Sequence, residues 1–395
     1  MVNGANGSTT KDKASRDRHE IEAISSEAVE LRRVRETLML GRTIPFMRIL
    51  VAGGAGFIGS VLVPHLLEAG HDVVVLDRFY FGPTLDAVAA KYGDKLSIFK
   101  DDIRTFEPKT VLSGVEAVVD LAGISNDPSC DLEAHLTESI NIAGGKRLAS
   151  LARQAGVRRY VYTSSCSVYG HGAGLGLTEN SPRHPVSLYA RAKCEVEDYA
   201  LQLGRESGGG FESVALRLAT VFGVSPRMRF DLAVNVMTKN AYVHRKVSVE
   251  GGGKQWRPFV HVTDVARAMH LAATADASRC AGRVFNVGSG ENNVQIAQLA
   301  YRVRDAVPST ELVSVGTDPD LRDYNVTFDA IGESLDYRTT RTIDDGIQEV
   351  LAALRSGKVD PDDRRAYTLR QYVFLREAEL TAQSLAMHGH ILGTA

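Results

Sequence analysis

Three residues in the middle of the chain have the types and spacing needed for proton transfer. Tyr189 and Lys193 stand four residues apart in a stretch with a helical pattern, so both side chains lie on one helix face. A nearby ammonium group lowers the pKa of a phenol, which would make the tyrosinate a workable base. Lys193 can also hold a ribose hydroxyl and relay the proton. Ser165, 24 residues before Tyr189 at a hydroxyl-rich strand end, can donate to the same substrate oxygen.

A glycine-rich turn at residues 53–59 predicts the dinucleotide-binding element that these residues would act beside. An apolar strand at 47–50 runs into a turn with Gly53, Gly56 and Gly59 spaced as GxxGxxG, and a helical pattern follows. Strand, glycine turn and helix place a helix N-terminus under the pyrophosphate of a dinucleotide. A second apolar strand ends in Asp77, 18 residues after Gly59, where a carboxylate that binds ribose is expected.

Two further strand ends carry residues that can face a ligand. Asp102 follows the third predicted strand and can accept a hydrogen bond from an adenine amine, although a solvated turn is the alternative interpretation. The fourth strand, near 116–121, runs into small residues that let the backbone approach a ligand closely. The polar residues that come next, Ser125, Asn126 and Asp127, are predicted to face the same cleft.

Strands alternate with helical patterns from residue 47 onward. Strands are predicted near 47–52, 72–77, 96–99, 116–121, 159–164, 213–217 and 283–287, and helices near 57–69, 131–155, 187–204 and 231–241. Such βαβ alternation predicts an α/β fold with a doubly wound parallel sheet.

The composition is that of an ordinary globular protein. Of 395 residues, 44% are hydrophobic and 24% are charged, and the formal net charge of −2 gives no reason to expect nucleic acid or an anionic membrane as a partner. No apolar run approaches the roughly 20 residues that span a bilayer. The four cysteines are widely spaced and form no disulfide framework, so we expect a reducing cytoplasm and no bound metal.

The segment before the predicted fold, residues 1–46, has two parts. Residues 1–18 are polar, have no apolar core of a secretory signal, and are predicted to be disordered. Residues 19–40 carry apolar side chains near helical spacing and predict an amphipathic helix. That helix either packs on its own domain or forms an oligomer contact, and the sequence leaves both interpretations open.

Four motifs together resemble those of a known family. They are GGAGFIG at 53–59, SSCSVYG at 164–170, YARAK at 189–193 and RPFVHVTDVARA at 257–268. Over about residues 47–355 the chain resembles an extended short-chain dehydrogenase/reductase of the NAD-dependent epimerase/dehydratase family, which acts mostly on nucleotide sugars. The motifs are specific for the family and say little about the substrate.

The resemblance implies roles for individual residues. The implied catalytic set is Ser165, Tyr189 and Lys193. The residues implied to line NAD, besides Tyr189 and Lys193, are Gly53, Gly56, Phe57, Ile58, Asp77, Arg78, Asp102, Ile103, Leu121 and Ala122. The predicted substrate contacts are Ser125, Asn126, Asp127, Cys166, Ser167, Arg229, Arg257 and Arg322. Among these, Arg229 and Arg257 are expected to clamp a diphosphate, because a guanidinium group matches phosphate geometry, and Arg322 resembles a further phosphate contact. Thr220 stands where many members carry an Asn that contacts the substrate diphosphate.

The resemblance also implies a domain organisation. A Rossmann domain is expected over 47–223 and about 257–290, and a smaller substrate-binding domain over 224–256 and about 291–355. Residues 356–395 extend past the usual end of the family. Within them, residues 367–375 alternate enough to be expected to pack on the domain, and no function is assigned to them. Members of the family often form homodimers, so a homodimer is expected.

Several functions are compatible with these features. The first is a nucleotide-sugar epimerase, which oxidises a sugar carbinol with bound NAD and then returns the hydride. Sugar dehydratases of the family usually carry carboxylates at the two positions after the active Ser or Thr, where this chain has Cys166 and Ser167, so epimerisation is favoured over dehydration or ketone reduction. A carboxylate from elsewhere, such as Asp127, could still serve dehydration, and that alternative stays open. A different class, an NAD(P)-binding regulator without turnover, is disfavoured by the intact Ser165, Tyr189 and Lys193.

Overall fold

The computed structural model describes residues 46–170, 175–316 and 322–386, so the predicted segments at 1–18 and 19–40 lie outside the described residues. In chain order the strands are β1 (Arg48–Ala52), β2 (Asp72–Asp77), β3 (Leu96–Lys100), β4 (Ala117–Asp120), β5 (Arg159–Ser165), β6 (Glu212–Leu218), β7 (Thr220–Phe222), β8 (Lys246–Glu250), β9 (Trp256–His261), β10 (Val284–Val287), β11 (Asn293–Gln295) and β12 (Glu311–Val315). The α-helices are α1 (Gly59–Glu68), α2 (Asp86–Tyr92), α3 (Pro108–Val111), α4 (Asp127–Asp131), α5 (Ala134–Thr137), α6 (Gly145–Gln154), α7 (Leu188–Glu206), α8 (Ala233–His244), α9 (Val262–Thr274), α10 (Ala277–Cys280), α11 (Ile296–Ala306), α12 (Asp329–Leu335), α13 (Ile343–Arg355) and α14 (Thr368–Leu385).

The central sheet has seven strands in the order β10-β6-β5-β4-β1-β2-β3. Every neighbouring pair is parallel; in the middle of the sheet, Val51 of β1 pairs with Val75 of β2 and with Val119 of β4. The strand order reverses between β1 and β4, and in such sheets the crevice at this reversal is where ligands bind. The predicted α/β fold with a doubly wound parallel sheet is therefore confirmed.

Both faces of this sheet are buried, which explains why its strands read as continuous apolar runs. On β1, Ile49 and Val51 belong to the apolar cluster on one face, which includes side chains of α1 and α9. Leu50 and Ala52 belong to the cluster on the opposite face, which includes side chains of α6 and α7. Burial on two sides fixes the register of β1 and thereby the position of the glycine turn that follows it.

Two small sheets lie outside the central one. Strand β9 pairs antiparallel with β11 and parallel with β7, and β8 pairs parallel with β12. A third apolar cluster, which includes Phe222, Phe259 and Ile347, joins these strands to α8, α11 and α13. The assignment of these elements to a separate substrate-binding domain stays a prediction. Among the described residues, no helix combines the length and the apolar character needed to cross a membrane.

The predicted helix at 131–155 is instead a series of shorter pieces. Helices α4 and α5 are followed by a π-helical segment, Glu138–Gly144, before α6 begins. Asn141 in this segment accepts a hydrogen bond from the Ile124 backbone N–H at 2.7 Å and donates to the Ile124 carbonyl at 2.9 Å. The interruption thus lets a buried amide fix the loop after β4, and π-helical turns are frequent at functional sites.

Three histidines form a buried chain of hydrogen bonds between α1 and α9. The Met47 backbone N–H donates to His71 Nδ1 at 3.3 Å, so the proton of His71 is on Nε2. His71 Nε2 lies 3.0 Å from His270 Nε2, and His270 Nδ1 lies 3.1 Å from His65 Nε2. Burial lowers the pKa of all three and brings that of His270 to about 3. All three rings are therefore neutral in the folded protein at neutral pH.

This cluster predicts a loss of stability in mild acid. Because the folded-state pKa of His270 is depressed, its contribution is complete above the unfolded value near 6.5 and falls as the unfolded chain takes up protons below it. We expect His270 alone to remove about 1.4 kcal/mol of unfolding free energy per pH unit below pH 6.5. Urea denaturation at pH 7.5, 6.5 and 5.5 should show that His270→Gln flattens the pH dependence. The exposed His244→Gln should keep the wild-type slope, and an equal slope for both variants would contradict the prediction.

Candidate active site

A cavity of about 850 Å³ opens at the carboxyl ends of the central strands, and a smaller one of about 110 Å³ adjoins it. Both are lined by Gly53 and Gly56 after β1 and by Leu121 after β4. The two cavities are therefore the ends of one cleft at the reversal of the strand order.

The three predicted proton-transfer residues meet in the large cavity. Ser165 ends β5, while Tyr189 and Lys193 lie on the first turns of α7, whose start is fixed by the Ser187 hydroxyl accepting from the Ala190 N–H at 3.2 Å. The Ser165 hydroxyl lies close enough to the Tyr189 phenol to lower its pKa. Lys193 Nζ lies 5.7 Å from the centre of the Tyr189 ring. The helical spacing thus brings the two side chains to one face, as predicted.

The predicted effect of Lys193 on the phenol is not what the structure shows. Burial raises the pKa of Tyr189, with Cys130 and Asp127 adding to it, and Arg229 and Ser165 opposing it. The Lys193 ammonium donates instead to the Thr163 carbonyl at 2.7 Å, and burial lowers its own pKa, against the attraction of Asp120. In the protein alone the phenol is therefore protonated, because loss of water outweighs the neighbouring positive charges.

The glycine turn fits the pyrophosphate of a dinucleotide. A side chain on Gly59 would come within 2.4 Å of the Gly53 carbonyl, and one on Gly53, whose φ is +78°, within 2.8 Å of the Leu121 backbone. Helix α1 begins without a side-chain cap, and Phe57, Ile58 and Gly59 at its start line the large cavity. Backbone N–H groups at a helix N-terminus favour an anion, so this turn suits a phosphate.

The small cavity has the features of an adenosine site. It is lined by the predicted residues Asp77, Arg78, Asp102, Ile103, Leu121 and Ala122. The Asp77 carboxylate already accepts from the Ala55 N–H at 2.9 Å and from the Phe79 N–H at 2.7 Å, which fixes it at the end of β2. Each carboxylate oxygen accepts more than one hydrogen bond, so Asp77 can also bind ribose hydroxyls. Asp102 holds Arg104 at 2.7 Å and Arg78 at 3.6 Å.

This arrangement predicts a preference for NAD over NADP. Asp77 repels a 2′-phosphate, and Arg78, which could offset that repulsion, is drawn towards Asp102. We expect NAD to bind at least about tenfold more tightly than NADP, a difference of about 1.4 kcal/mol. Calorimetric titration with both cofactors measures the ratio of their dissociation constants. Asp77→Asn should make this ratio smaller, whereas Asp72→Asn, at the opposite end of β2, should leave it unchanged. Tighter binding of NADP by the wild-type protein would refute the prediction.

The polar loop after β4 lines the large cavity, as predicted. Ser125, Asn126 and Asp127 are all on its wall. Asn126 adopts a left-handed conformation with φ +70°, and its amide donates to Asp231 at 2.6 Å. Asp127 pairs with Arg322 at 3.2 Å through Oδ2, whereas its buried Oδ1 has no hydrogen-bond partner among the described residues. Asp127 is therefore the carboxylate of this loop whose second oxygen is left for a ligand.

The three predicted phosphate-binding arginines line the same cavity. Arg229 is held by two hydrogen bonds to Asp231, both of 2.9 Å. Arg257 donates to the Trp256 carbonyl at 2.8 Å and lies 5.5 Å from the centre of the Tyr324 ring. The structure brings all three together with Asp127, and their contact with a diphosphate stays a prediction.

Two predicted substrate contacts are not on the cavity wall. Cys166 and Ser167 begin a 3₁₀ turn, Cys166–Tyr169, whose side chains are buried behind Ser165. The Cys166 thiol donates to the Arg217 carbonyl at 3.2 Å, and burial raises its pKa. The prediction of a substrate contact for these two residues is therefore revised, because the turn directs both side chains into the interior.

Many residues of the large cavity were not predicted from the sequence, and three of them lie at the cofactor end of the cleft. Arg227, Phe81 and Tyr372 line the large cavity beside the glycine turn. The sequence offered one signal for Arg227, which is that it lies in the segment after β7, two residues before the predicted Arg229. Phe81 and Tyr372 carried no such signal, and Tyr372 reaches the cleft through the packing of α14 on the loop that holds Phe81.

Comparison with known proteins identifies the family. The NAD dependent epimerase/dehydratase family matches residues 49–288. The UDP-glucose 4-epimerase of Mycolicibacterium smegmatis is 33% identical over 255 residues, which cover 62% of this chain and 78% of the relative. The chain therefore belongs to the NAD dependent epimerase/dehydratase family.

Solved structures agree with this assignment. The UDP-glucose 4-epimerase of Thermotoga maritima with UDP-glucose has a TM-score of 0.70 and 26% identity, and the match covers 79% of this chain and all of that one. An NAD-dependent NDP-hexosamine 5,6-dehydratase also has a TM-score of 0.70, with 26% identity and coverage of 80% and 100%. MoeE5, solved with UDP-glucose and NAD, has a TM-score of 0.68, 26% identity and coverage of 79% and 100%. The predictions of an enzyme and of NAD as its cofactor are confirmed.

Proposed function

We propose that this enzyme epimerises a nucleotide sugar by transient oxidation at a carbinol carbon. The observation that carries the proposal is the convergence of Ser165, Tyr189 and Lys193 in the large cavity, while Cys166 and Ser167 are turned into the interior. A pure hydride-return epimerisation needs no acid or base beyond the first three residues. The named relatives that act on UDP-sugars support the same substrate class.

Each of the three residues has a defined part in the proton transfer. Bound NAD supplies the hydride acceptor and then the hydride donor. Tyr189, after releasing its own proton to solvent, takes the proton of the sugar hydroxyl and later returns it, since its phenol lies on the cavity wall beside Ser165. Ser165 donates to the same substrate oxygen and orients it. The Lys193 ammonium, fixed by the Thr163 carbonyl, stabilises the charge that develops on the phenol.

The polar wall opposite these residues suits the rest of the substrate. Arg229, Arg257 and Arg322 line the cavity on the side away from the adenosine end, and a guanidinium group binds phosphate oxygens in a fixed geometry. Asp231 keeps Arg229 in place through its paired hydrogen bonds. We therefore assign the diphosphate of the nucleotide sugar to this cluster of arginines.

Asp127 supports dehydration as a second candidate reaction. Dehydration needs a base for the carbon beside the ketone and an acid for the departing hydroxyl. Asp127 lies near enough to Tyr189 to raise its pKa and has an unpartnered buried oxygen, so it can supply one of these groups. The chain would then use this loop carboxylate in place of the acids that dehydratases of the family carry after the active Ser or Thr.

Turnover of candidate UDP-sugars in deuterated water separates the two reactions. Hydride return leaves the carbon-bound positions unlabelled and the mass unchanged, so the expected product is an isomer without deuterium on carbon. Loss of water, or deuterium fixed on carbon, would overturn epimerisation. In that case Asp127→Asn should abolish the deuterium incorporation. If epimerisation holds, the same variant should still exchange the two isomers without labelling either.

We also propose a cytoplasmic homodimer. The four cysteines are free, and three of them are buried, which supports a reducing compartment. The homodimer rests on the family resemblance. Light scattering on the purified protein measures its mass, and a value near that of one 42.8 kDa chain would contradict the dimer.

A further inference from the structure

The C-terminal helix α14 reaches the cofactor cleft. Leu369 and Tyr372 of this helix line the large cavity, and Tyr372 also lines the small one. Because the two cavities meet at the glycine turn, Tyr372 stands at the junction between the adenosine end and the reactive end. The helix belongs to the segment beyond residue 355, for which the sequence indicated no function.

Helix α14 is attached to the loop after β2. The Gln371 side-chain amide donates to the Tyr80 carbonyl at 2.7 Å. The Tyr372 ring packs edge-on against Tyr80 at 6.0 Å and against Phe81 at 5.6 Å between ring centres. Tyr80 stands three residues after Asp77, the predicted ribose ligand, so the helix and the loop together cover the middle of the cleft.

The same face of this helix holds a buried arginine, because Thr368 and Tyr372 are four residues apart. The Arg227 Nη2 donates to the Thr368 hydroxyl at 2.9 Å, and its guanidinium carbon lies 3.7 Å from the centre of the Phe81 ring. Arg227 is only 4% exposed, yet its Nη1 has no hydrogen-bond partner among the described residues. Burial, with Arg229 nearby, lowers its pKa to about 9. A buried guanidinium group in this condition is costly unless an anion joins it.

No carboxylate among the described residues forms an ion pair with Arg227. Asp231, the acid with the largest influence on its charge, is already bound by Arg229 through two hydrogen bonds. Asp77 acts on Arg227 more weakly and is fixed at the end of β2. Arg227 therefore places a positive charge without an ion-pair partner on the cavity wall, where an anionic ligand could bind it.

The position of Arg227 points to the cofactor phosphates rather than to those of the sugar nucleotide. Ser225 donates to the Phe57 carbonyl at 2.7 Å and lies 2.9 Å from the Ser60 hydroxyl. The Arg227 backbone N–H donates to that same Ser225 hydroxyl at 3.3 Å. The segment is thus tied to the N-terminal end of α1, where the helix itself favours an anion.

We propose that Arg227 binds a phosphate of the NAD pyrophosphate from above the glycine turn, and that Tyr372 on α14 closes the cleft over it. Helix α14 then acts as a strap that retains the cofactor between turnovers. The Arg227 guanidinium and the uncapped N-terminus of α1 would then both stabilise the phosphate. Thr368 and Phe81 hold the Arg227 side chain in place. The proposal concerns the cofactor alone and is independent of which sugar the enzyme converts.

The test compares ligands with and without phosphate on the full-length protein. Arg227→Gln is expected to weaken binding of NAD and ADP by tenfold or more and to change adenosine binding by less than twofold. Arg227→Lys keeps the charge and should retain part of the ADP affinity. Arg376→Gln, an exposed charge on the same helix, should behave like the wild type. Calorimetry gives the affinities, and circular dichroism checks that each variant is folded.

A second measurement tests the strap. Tyr372→Ala should raise the dissociation rate of NAD by tenfold or more, seen as a lower fraction of protein that retains NAD after gel filtration.

The outcomes for Arg227 are also distinct. If Arg227→Gln weakened the binding of ADP and of adenosine equally, Arg227 would have only a structural role. If Arg227→Gln weakened UDP binding and left ADP binding unchanged, the phosphate that Arg227 binds would be one of the sugar nucleotide. Either result overturns the proposal, as does unchanged NAD retention in Tyr372→Ala, while epimerase activity remains a separate question.

Discussion

Replacing Tyr189 with Phe should reduce turnover by a factor on the order of 10² or more, with little change in NAD affinity. The substitution keeps the ring that packs in the cavity and removes the phenol oxygen, on whose pKa the neighbouring Ser165 acts. Lys193 cannot take over the proton transfer, because its ammonium is engaged by the Thr163 carbonyl at 2.7 Å. The loss should appear in kcat, since the missing oxygen acts in the transition state and not in binding.

A matched control lies on the same helix. Tyr199 is hydrogen-bonded to the Ser150 hydroxyl at 2.7 Å and is not part of either cavity wall. Tyr199→Phe removes the same oxygen from α7 and should leave turnover within about twofold of the wild type. The measurement is initial-rate kinetics with a UDP-sugar, together with NAD titration of both variants. Near-normal turnover in Tyr189→Phe would remove this residue from the mechanism.

The sequence predicted the parts of the site that depend on local spacing. Tyr189 and Lys193 meet because a helix places residues four apart on one face, and Asp77 lines the small cavity because β2 ends there. The central sheet was predictable for the same reason, since strands buried on both faces form continuous apolar runs. These features require only the period of each element and the order of the elements along the chain.

The remainder depends on contacts between distant segments, which no local pattern encodes. Tyr372 lines the cleft because α14 packs on the loop at Tyr80, 292 residues earlier in the chain. Cys166 was predicted to face the substrate because it follows Ser165, but the 3₁₀ turn after β5 rotates it into the interior. The phenol pKa was predicted with the wrong sign, because burial is a property of the folded site and outweighs one neighbouring charge.

The second large effect is expected at Glu197, which follows Tyr189 and Lys193 on α7. Glu197 is four residues beyond Lys193, on the same helix face, and its side chain is 1% exposed. It accepts from Arg217 at 2.6 and 3.1 Å and from the Ser164 hydroxyl at 2.6 Å. Arg217 also donates to the Tyr169 hydroxyl at 2.9 Å. This network joins α7, β5 and β6 directly behind the active site.

Glu197→Gln should lower the unfolding free energy by about 3–5 kcal/mol, because it leaves the Arg217 charge buried without its partner. Urea denaturation measures the loss, and Glu195→Gln is the matched control two residues away. Glu195 is 49% exposed and pairs with Lys146 at the surface, so its loss should cost less than about 1 kcal/mol. Replacing both buried partners, with Glu197→Leu and Arg217→Met, should restore part of the stability, since no buried charge is then left unpaired. A Glu197→Gln variant as stable as the Glu195→Gln control would show that water reaches Arg217 and that the pair is not a buried one.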